Sequence, residues 1–435
     1  MRLKGKTGII IFAVLLLIAP VLTAWGCAEN DGDNANEEKT QQYGISTDKP
    51  KKKIIIGNLT DMTGVAANPM AAIDTALADV VEYYNEENLI PGVELKVIKY
   101  DTQFDPPRFI TGYEWVRERG ADMIWNALPP GVTTLKSRAN KDEFPIFTAT
   151  ANVERDELEG GYVYCLAIAP ENEAYTFLKW IAENDPDFPK DRPAKIGGAA
   201  WGEAYSNIWF RAAKDYCEAH PEQYVWVEDY LTGIKFMWGT EVDGLKDCDY
   251  VYVPTPPQAF VKEYRNAGHE ATFLMTEVAG AFFSMIDKGD LWNAVDETLI
   301  ILSSGWYNED GSIVDLTNKL LNEKHSDKEA ESIRNNGVGY RVVKQAYMMC
   351  EIIRETVERV GAENFNSEAL VDTANSWSFE YKGIEDFNSL TETKRFSQNY
   401  YGMYELVVPE NDESGSSWQY ITRIDPEWIL EVTEP

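Results

Sequence analysis

The sequence predicts an α/β protein built as two doubly wound parallel-sheet lobes, and three observations carry that expectation. Apolar runs of strand length alternate with amphipathic stretches of helix length. Helices of this length between strands imply parallel sheets covered on both faces. The alternation then occurs a second time, beginning near residue 170.

In the first series, IIIGNL (54–59) is a buried strand, and Ile73, Leu77, Val80, Val81 and Tyr84 recur at helical spacing. VELKVIK (93–99) is the second strand. Asp105-Pro106 then opens a helix, an N-cap acid followed by proline in the first turn, which runs to about Gly120. The strand MIWNA (123–127), a helix near 132–141 and the strand PIFT (145–148) complete the series.

The second series comprises helix 173–184, strand KIGGAA (195–200), helix 203–219, strand YVWVEDY (224–230), a short helix near 241–247, strand DYVYV (249–253), helix 257–267 and strand TFLM (272–275). After LIILS (299–303) come a helix-rich stretch, a long helix from about Gly339 to Val360, and strands at 401–408 and 418–424. This third region is too small and mixed to be a lobe by itself and is expected to complete the other two.

The N-terminus carries an export signal. Arg2, Lys4 and Lys6 precede an apolar run, Gly8 to Leu22, that is short for a bilayer span, and Pro20 would break a helix there. Ala24-Trp25-Gly26-Cys27 resembles the bacterial lipobox, with Trp25 bulkier than the usual occupant, so Cys27 is the expected lipidation site. Residues 28–50 are polar and acidic, almost without aliphatic side chains, and read as a disordered tether.

Composition narrows the function. With 40 Lys and Arg against 72 Asp and Glu the net charge is −32, which argues against nucleic acid as a partner. Four cysteines other than Cys27 lack CxxC spacing and suit small buried side chains; Cys217 with Cys248 is the pair to test should one bridge exist. There is no HExxH and no GxSxG, and His220, His269 and His325 are widely spaced surface candidates. No catalytic residue, metal or cofactor is therefore expected. Gly337-Val338-Gly339 lacks a third glycine and a preceding strand, so it is no dinucleotide site.

In open parallel sheets ligands bind beyond the carboxyl ends of strands. The loops there, 60–70, 126–134, 148–153, 201–205 and 276–280, carry hydroxyls (Thr60, Thr63, Thr133, Thr134, Thr148, Thr150), the amide of Asn152, the aromatics Trp201 and Tyr205, and the carboxylate of Glu277. Hydroxyls and helix N-termini suit a small anion, and a lone carboxylate suits an ammonium or hydroxyl.

On these stretches the chain resembles the type I periplasmic-binding proteins of ABC importers, in the branch of leucine/isoleucine/valine-binding proteins and their amide- and urea-binding relatives. The resemblance spans roughly 53–425 and rests on IIIGNLTDMTGVAA, YDTQFDP, NALPPGVTT, FPIFTATAN, IGGAAWGEAYS and LMTEVAG in that order. It implies two lobes joined by a three-strand hinge that close on a small ligand and dock on a membrane permease. It also implies that Tyr205 closes over the ligand, that Glu277 pairs with a substrate ammonium, and that Thr148 and Thr150, or Asn152 in another register, contact an amino-acid backbone. The serine that holds the substrate carboxylate in that family is replaced here by Pro130, leaving Thr133 or the backbone of Gly131 and Val132 to substitute.

The expected organisation is a signal peptide (1–26), linker (27–52), first part of lobe 1 (53–168), first part of lobe 2 (169–298), completion of lobe 1 (299–405) and C-terminal strands (406–435). The expected function is delivery of an amino acid or related carboxylate or amide to an ABC permease by a membrane-anchored, extracytoplasmic lipoprotein. A ligand sensor of the same fold and an exported hydrolase are the alternatives.

Overall fold

The computed structural model describes residues 51–149, 154–410 and 416–435. The signal peptide, Cys27 and nearly all of the linker, together with Thr150 and Asn152, lie outside the described residues. The first lobe begins β1 (Lys52–Thr60), α1 (Ala67–Glu86), β2 (Val93–Asp101), α2 (Pro106–Glu118), β3 (Met123–Asn126), α3 (Pro129–Asp142), β4 (Ile146–Thr148) and β5 (Val163–Cys165). These strands form one parallel sheet in the order β2-β1-β3-β4-β5.

The second lobe follows with α4 (Pro170–Asn184), β6 (Ala194–Trp201), α5 (Ala204–Ala219), β7 (Tyr224–Thr232), α6 (Gly239–Gly244), β8 (Tyr250–Tyr252), α7 (Gln258–Asn266), β9 (Thr272–Thr276), α8 (Glu277–Gly280), α9 (Phe283–Lys288) and β10 (Leu299–Leu302). The chain then returns to lobe 1 for α10 (Ser312–Lys324), α11 (Asp327–Asn335), α12 (Val343–Val360), α13 (Ser367–Ala374) and a hairpin of β11 (Ser378–Tyr381) and β12 (Ile384–Ser389). Packing of α12 and α10 on α1 places this excursion in lobe 1. β13 (Tyr400–Leu406), β14 (Ile421–Arg423) and β15 (Ile429–Leu430) end the chain.

The expected boundary at 299–405 is corrected here. β10 continues the parallel run β9-β10 and β13 pairs antiparallel beside it, so both belong to the lobe-2 sheet, ordered β14-β13-β10-β9-β8-β6-β7. Only the segment between them completes lobe 1. Cys217 and Cys248, the pair to test for a bridge, are free and buried, as are Cys165 and Cys350, in keeping with small buried side chains. His325 is not merely solvated, since its Nε2 lies 2.7 Å from Asp79 Oδ2.

Three crossovers join the lobes, at 166–169, 303–311 and 395–399, and they are bonded to one another. Cys165 N–H donates to Arg395 O at 2.6 Å, Ser397 N–H to Cys165 O at 2.8 Å, and the Gln398 amide to Ser303 O at 2.9 Å. Lys344, at the start of α12, donates to both Ser303 O and Gln398 Oε1 at 2.7 Å. Burial of its ammonium lowers the Lys344 pKa from 10.5 to about 7.

The YDTQFDP stretch explains how two strand ends are locked. Asp101 accepts from Met62 N–H at 2.9 Å and from the Thr63 hydroxyl at 2.7 Å, tying the loop after β1 to the end of β2. Burial pushes its carboxyl up, but these bonds, the Gln103 N–H and the Arg108 charge outweigh that and hold it below its usual range. Gln103 and Phe104 then take left-handed backbone angles, φ 53° and 57°, before Asp105 opens α2.

Candidate functional site

A cavity of about 180 Å³ lies where the two lobes meet. Lobe 1 contributes the loop and first turns of α1 (Val65, Ala66, Pro69, Met70, Ile73), Phe104, residues 127–129 and Ala149. Lobe 2 contributes Trp201, Tyr205, Thr255, Val278, Ala281 and Phe282. The wall is completed by Val338, Gly339, Arg341 and Val342 in the turn before α12 and by Gln345 in its first helical turn. Most of these side chains are apolar, so the body of a ligand here would be held by burial.

Its charged groups are few. Among the described residues, Glu203, Glu277 and Arg341 are the ionisable side chains lining it, with Ser206, Thr255 and Gln345 as the neutral polar ones besides the Tyr205 phenol and the Trp201 indole. Glu203 caps α5, accepting from Tyr205 N–H and Ser206 N–H at 2.8 Å each. Burial pushes its carboxyl above its usual range against those bonds. Glu277, first residue of α8, accepts from Ser303 N–H at 3.1 Å and the Ser303 hydroxyl at 2.8 Å. Arg341 is 5% exposed, and its Nη1 lies 3.9 Å from Glu277 Oε1.

Behind this wall stands a third acid. Glu173, on α4, is 1% exposed, and its Oε2 lies 2.5 Å from the Tyr205 hydroxyl, which is 3.0 Å from Thr276 Oγ1. Burial drives the Glu173 carboxyl well above its ordinary value of 4.5; the Tyr205 bond opposes this and the nearby Glu277 charge adds to it. Tyr205 is thereby fixed at one end while its ring forms cavity wall.

The expected site residues divide. Trp201, Tyr205 and Glu277 line the cavity together. Thr133 does not: it is exposed on α3, and its hydroxyl turns back to donate to Pro130 O at 3.2 Å. Thr148 is buried at the end of β4, and it is Ala149, one residue on, that lines the space. Thr63 is spent on Asp101. Arg341 and Gln345 were not anticipated. Their signal in the sequence was GVGYRV, whose glycines serve packing: a Cβ on Gly339 would stand 3.1 Å from Ala72 Cβ.

The same architecture occurs in solved proteins. A branched-chain amino acid ABC transporter protein from Thermus thermophilus with bound valine superposes with TM-score 0.70 at 14% identity, covering 89% of this chain and 98% of that one. The chain has the type I periplasmic-binding protein fold. Residues 53–198 match the sequence family described as periplasmic binding protein. Two further structures of this periplasmic-binding fold are a fatty acid ABC transporter substrate-binding protein from Thermomonospora curvata (TM-score 0.68, 16% identity, 86% and 92% covered) and an R. palustris ABC transporter solute-binding protein in complex with 4-hydroxybenzoate (TM-score 0.67, 15% identity, 88% and 97% covered). No curated protein sequence matches.

Proposed function

We propose that this protein is an extracytoplasmic solute receptor that binds a small molecule between its lobes and delivers it to an ABC permease. The observation that carries this reading is the apolar cavity at the lobe junction, with three bonded crossovers beside it. Contacts from both lobes to one ligand favour a closed form, which a permease distinguishes from the open one. No bond is made or broken.

The ligand has an apolar body and a polar end, as befits an amino acid or a related carboxylate or amide. The ligands named for the similar structures, valine and 4-hydroxybenzoate, share that plan, as does the fatty acid class. Residues 1–26 act as a lipoprotein signal, Cys27 as the lipid attachment site, and residues 27–52 as the tether.

A thermal-shift screen of amino acids, aromatic and aliphatic acids, amides and ureas tests the reading, because a ligand present at 100 times its Kd stabilises by about 2.7 kcal/mol. A clear shift by at least one class is expected. Absence of any shift, or turnover of a screened amide or urea, would sink it.

A further inference from the structure

Arg341 is held from behind and open in front. Its Nε donates to Gly305 O at 3.0 Å, and its Nη2 to both the carbonyl and the hydroxyl of Ser304. The guanidinium carbon lies 5.0 Å from the centre of the Trp306 ring. Its Nη1 has no hydrogen-bond partner, since Glu277 Oε1 at 3.9 Å is within Coulombic reach but beyond hydrogen-bond range. One helical turn on, Gln345 lines the same cavity, is 5% exposed, and has an Oε1 that is likewise unpartnered. Buried polar atoms of this kind are uncommon in folded proteins, and two in one cavity wall point to a missing partner.

Two of the helix ends at the cavity, those of α3 and α5, do not offer an anion site instead. α3 begins Pro129-Pro130, neither of which has an N–H, and the Gly131 N–H is spent on Leu128 O at 3.1 Å. At the start of α5, Glu203 already takes the N–H groups of Tyr205 and Ser206. Arg341 is the one cationic side chain among the described residues of the lining.

Charge balance decides what sort of ligand this suits. A simple anion would meet Arg341 but also the carboxylates of Glu277 and Glu203, whereas a zwitterion brings a cation for Glu277 and an anion for Arg341. We propose that Arg341 grips the carboxylate of an apolar α-amino acid through Nη1, with Glu277 taking the ammonium group and the side chain lying in the apolar wall. Arg341 thus takes over the role for which Pro130 leaves no hydroxyl. This assignment rests on the solute-receptor reading above.

The test compares L-leucine, L-valine and L-phenylalanine with their amides, which keep the ammonium and lose the carboxylate. Titration calorimetry is run on the wild-type protein, Arg341→Gln and Arg341→Lys, with folding checked by circular dichroism. The wild type is expected to prefer at least one amino acid over its amide by about 10- to 100-fold. Arg341→Gln should erase that preference by weakening the amino acid far more than its amide, and Arg341→Lys should restore part of it. A folded Arg341→Gln that keeps the full preference would overturn the assignment and leave the receptor reading intact. So would wild-type protein that binds acids or ureas but none of these amino acids. Should the variants not fold, a crystal structure of the wild type with the preferred amino acid decides: a carboxylate oxygen within about 3.2 Å of Nη1 supports the proposal, and a carboxylate elsewhere overturns it.

Discussion

Glu277 and Arg341 are positioned by three consecutive residues of one crossover. Ser303 donates twice to the carboxylate, while Ser304 and Gly305 accept from the guanidinium, leaving Oε1 and Nη1 3.9 Å apart. Opposite charges held in place before a ligand arrives need no reorganisation when it does, which favours affinity.

Glu277→Gln keeps the shape and the bond from the Ser303 N–H, with the Ser303 hydroxyl turned to accept from the new amide N–H, but removes the charge. An amino-acid ligand should bind more weakly by about 1.5–3 kcal/mol, the scale for a hydrogen bond to a charged group. Calorimetry on the true ligand measures this, and unchanged affinity would remove the ammonium assignment.

Glu173 makes stability depend on pH. Its folded-state pKa is raised above 4.5, so the native protein keeps a proton that the unfolded chain releases, and stability falls as pH rises above that value. Glu173→Gln can still accept from Tyr205 and should flatten this part of the profile. Urea unfolding of both proteins from about pH 5 to about pH 8 reads the slopes, and parallel slopes would refute the idea.

Lys344 acts with the opposite sign. Its pKa falls from 10.5 to about 7, so between those values the unfolded chain binds the extra proton and stability rises with pH. Lys344→Met should remove that rise and loosen the tie between Ser303 and Gln398. Chemical unfolding across the same interval tests it; a variant that retains the wild-type rise would assign it to another group.

Gly337 adopts φ +95°, and a Cβ there would stand 2.0 Å from Gly280 O. Gly337→Ala should therefore cost roughly 1–3 kcal/mol or more through backbone strain and displacement of α8. A lowered urea midpoint is the expected result, and an unchanged one would mean that this wall adapts freely.

Cys27→Ser should abolish incorporation of radioactive palmitate and release the protein from membranes. Retention of both would show that the anchor was misassigned.

Much of the fold was legible because buried parallel strands are short apolar runs punctuated by helices, as IIIGNL and TFLM show. The lobe assignment of β10 and β13 was not, since their neighbours in the sheet are chosen by long-range pairing that no local pattern records. The β11–β12 hairpin escaped notice because SFEY and IEDFNS alternate weakly and stay partly exposed. At the site, Trp201, Tyr205 and Glu277 could be placed by the rule that ligands meet strand ends. Thr133 could not, because its hydroxyl is consumed by its own helix. Arg341 lies within a 3-10 turn far in sequence from any strand end, where nothing in its residue type separates it from a surface arginine.

The four buried cysteines have a practical corollary. Cys165, Cys217, Cys248 and Cys350 are shielded, and burial pushes the first three thiols up to about 12 and the fourth higher still, so none supplies thiolate to a reagent at neutral pH. The folded body is therefore a silent background for maleimide chemistry. Spin labels on cysteines introduced at Met62, 54% exposed on lobe 1, and Met237, 79% exposed on lobe 2, would report the distance between the lobes with no thiol of the folded body to remove.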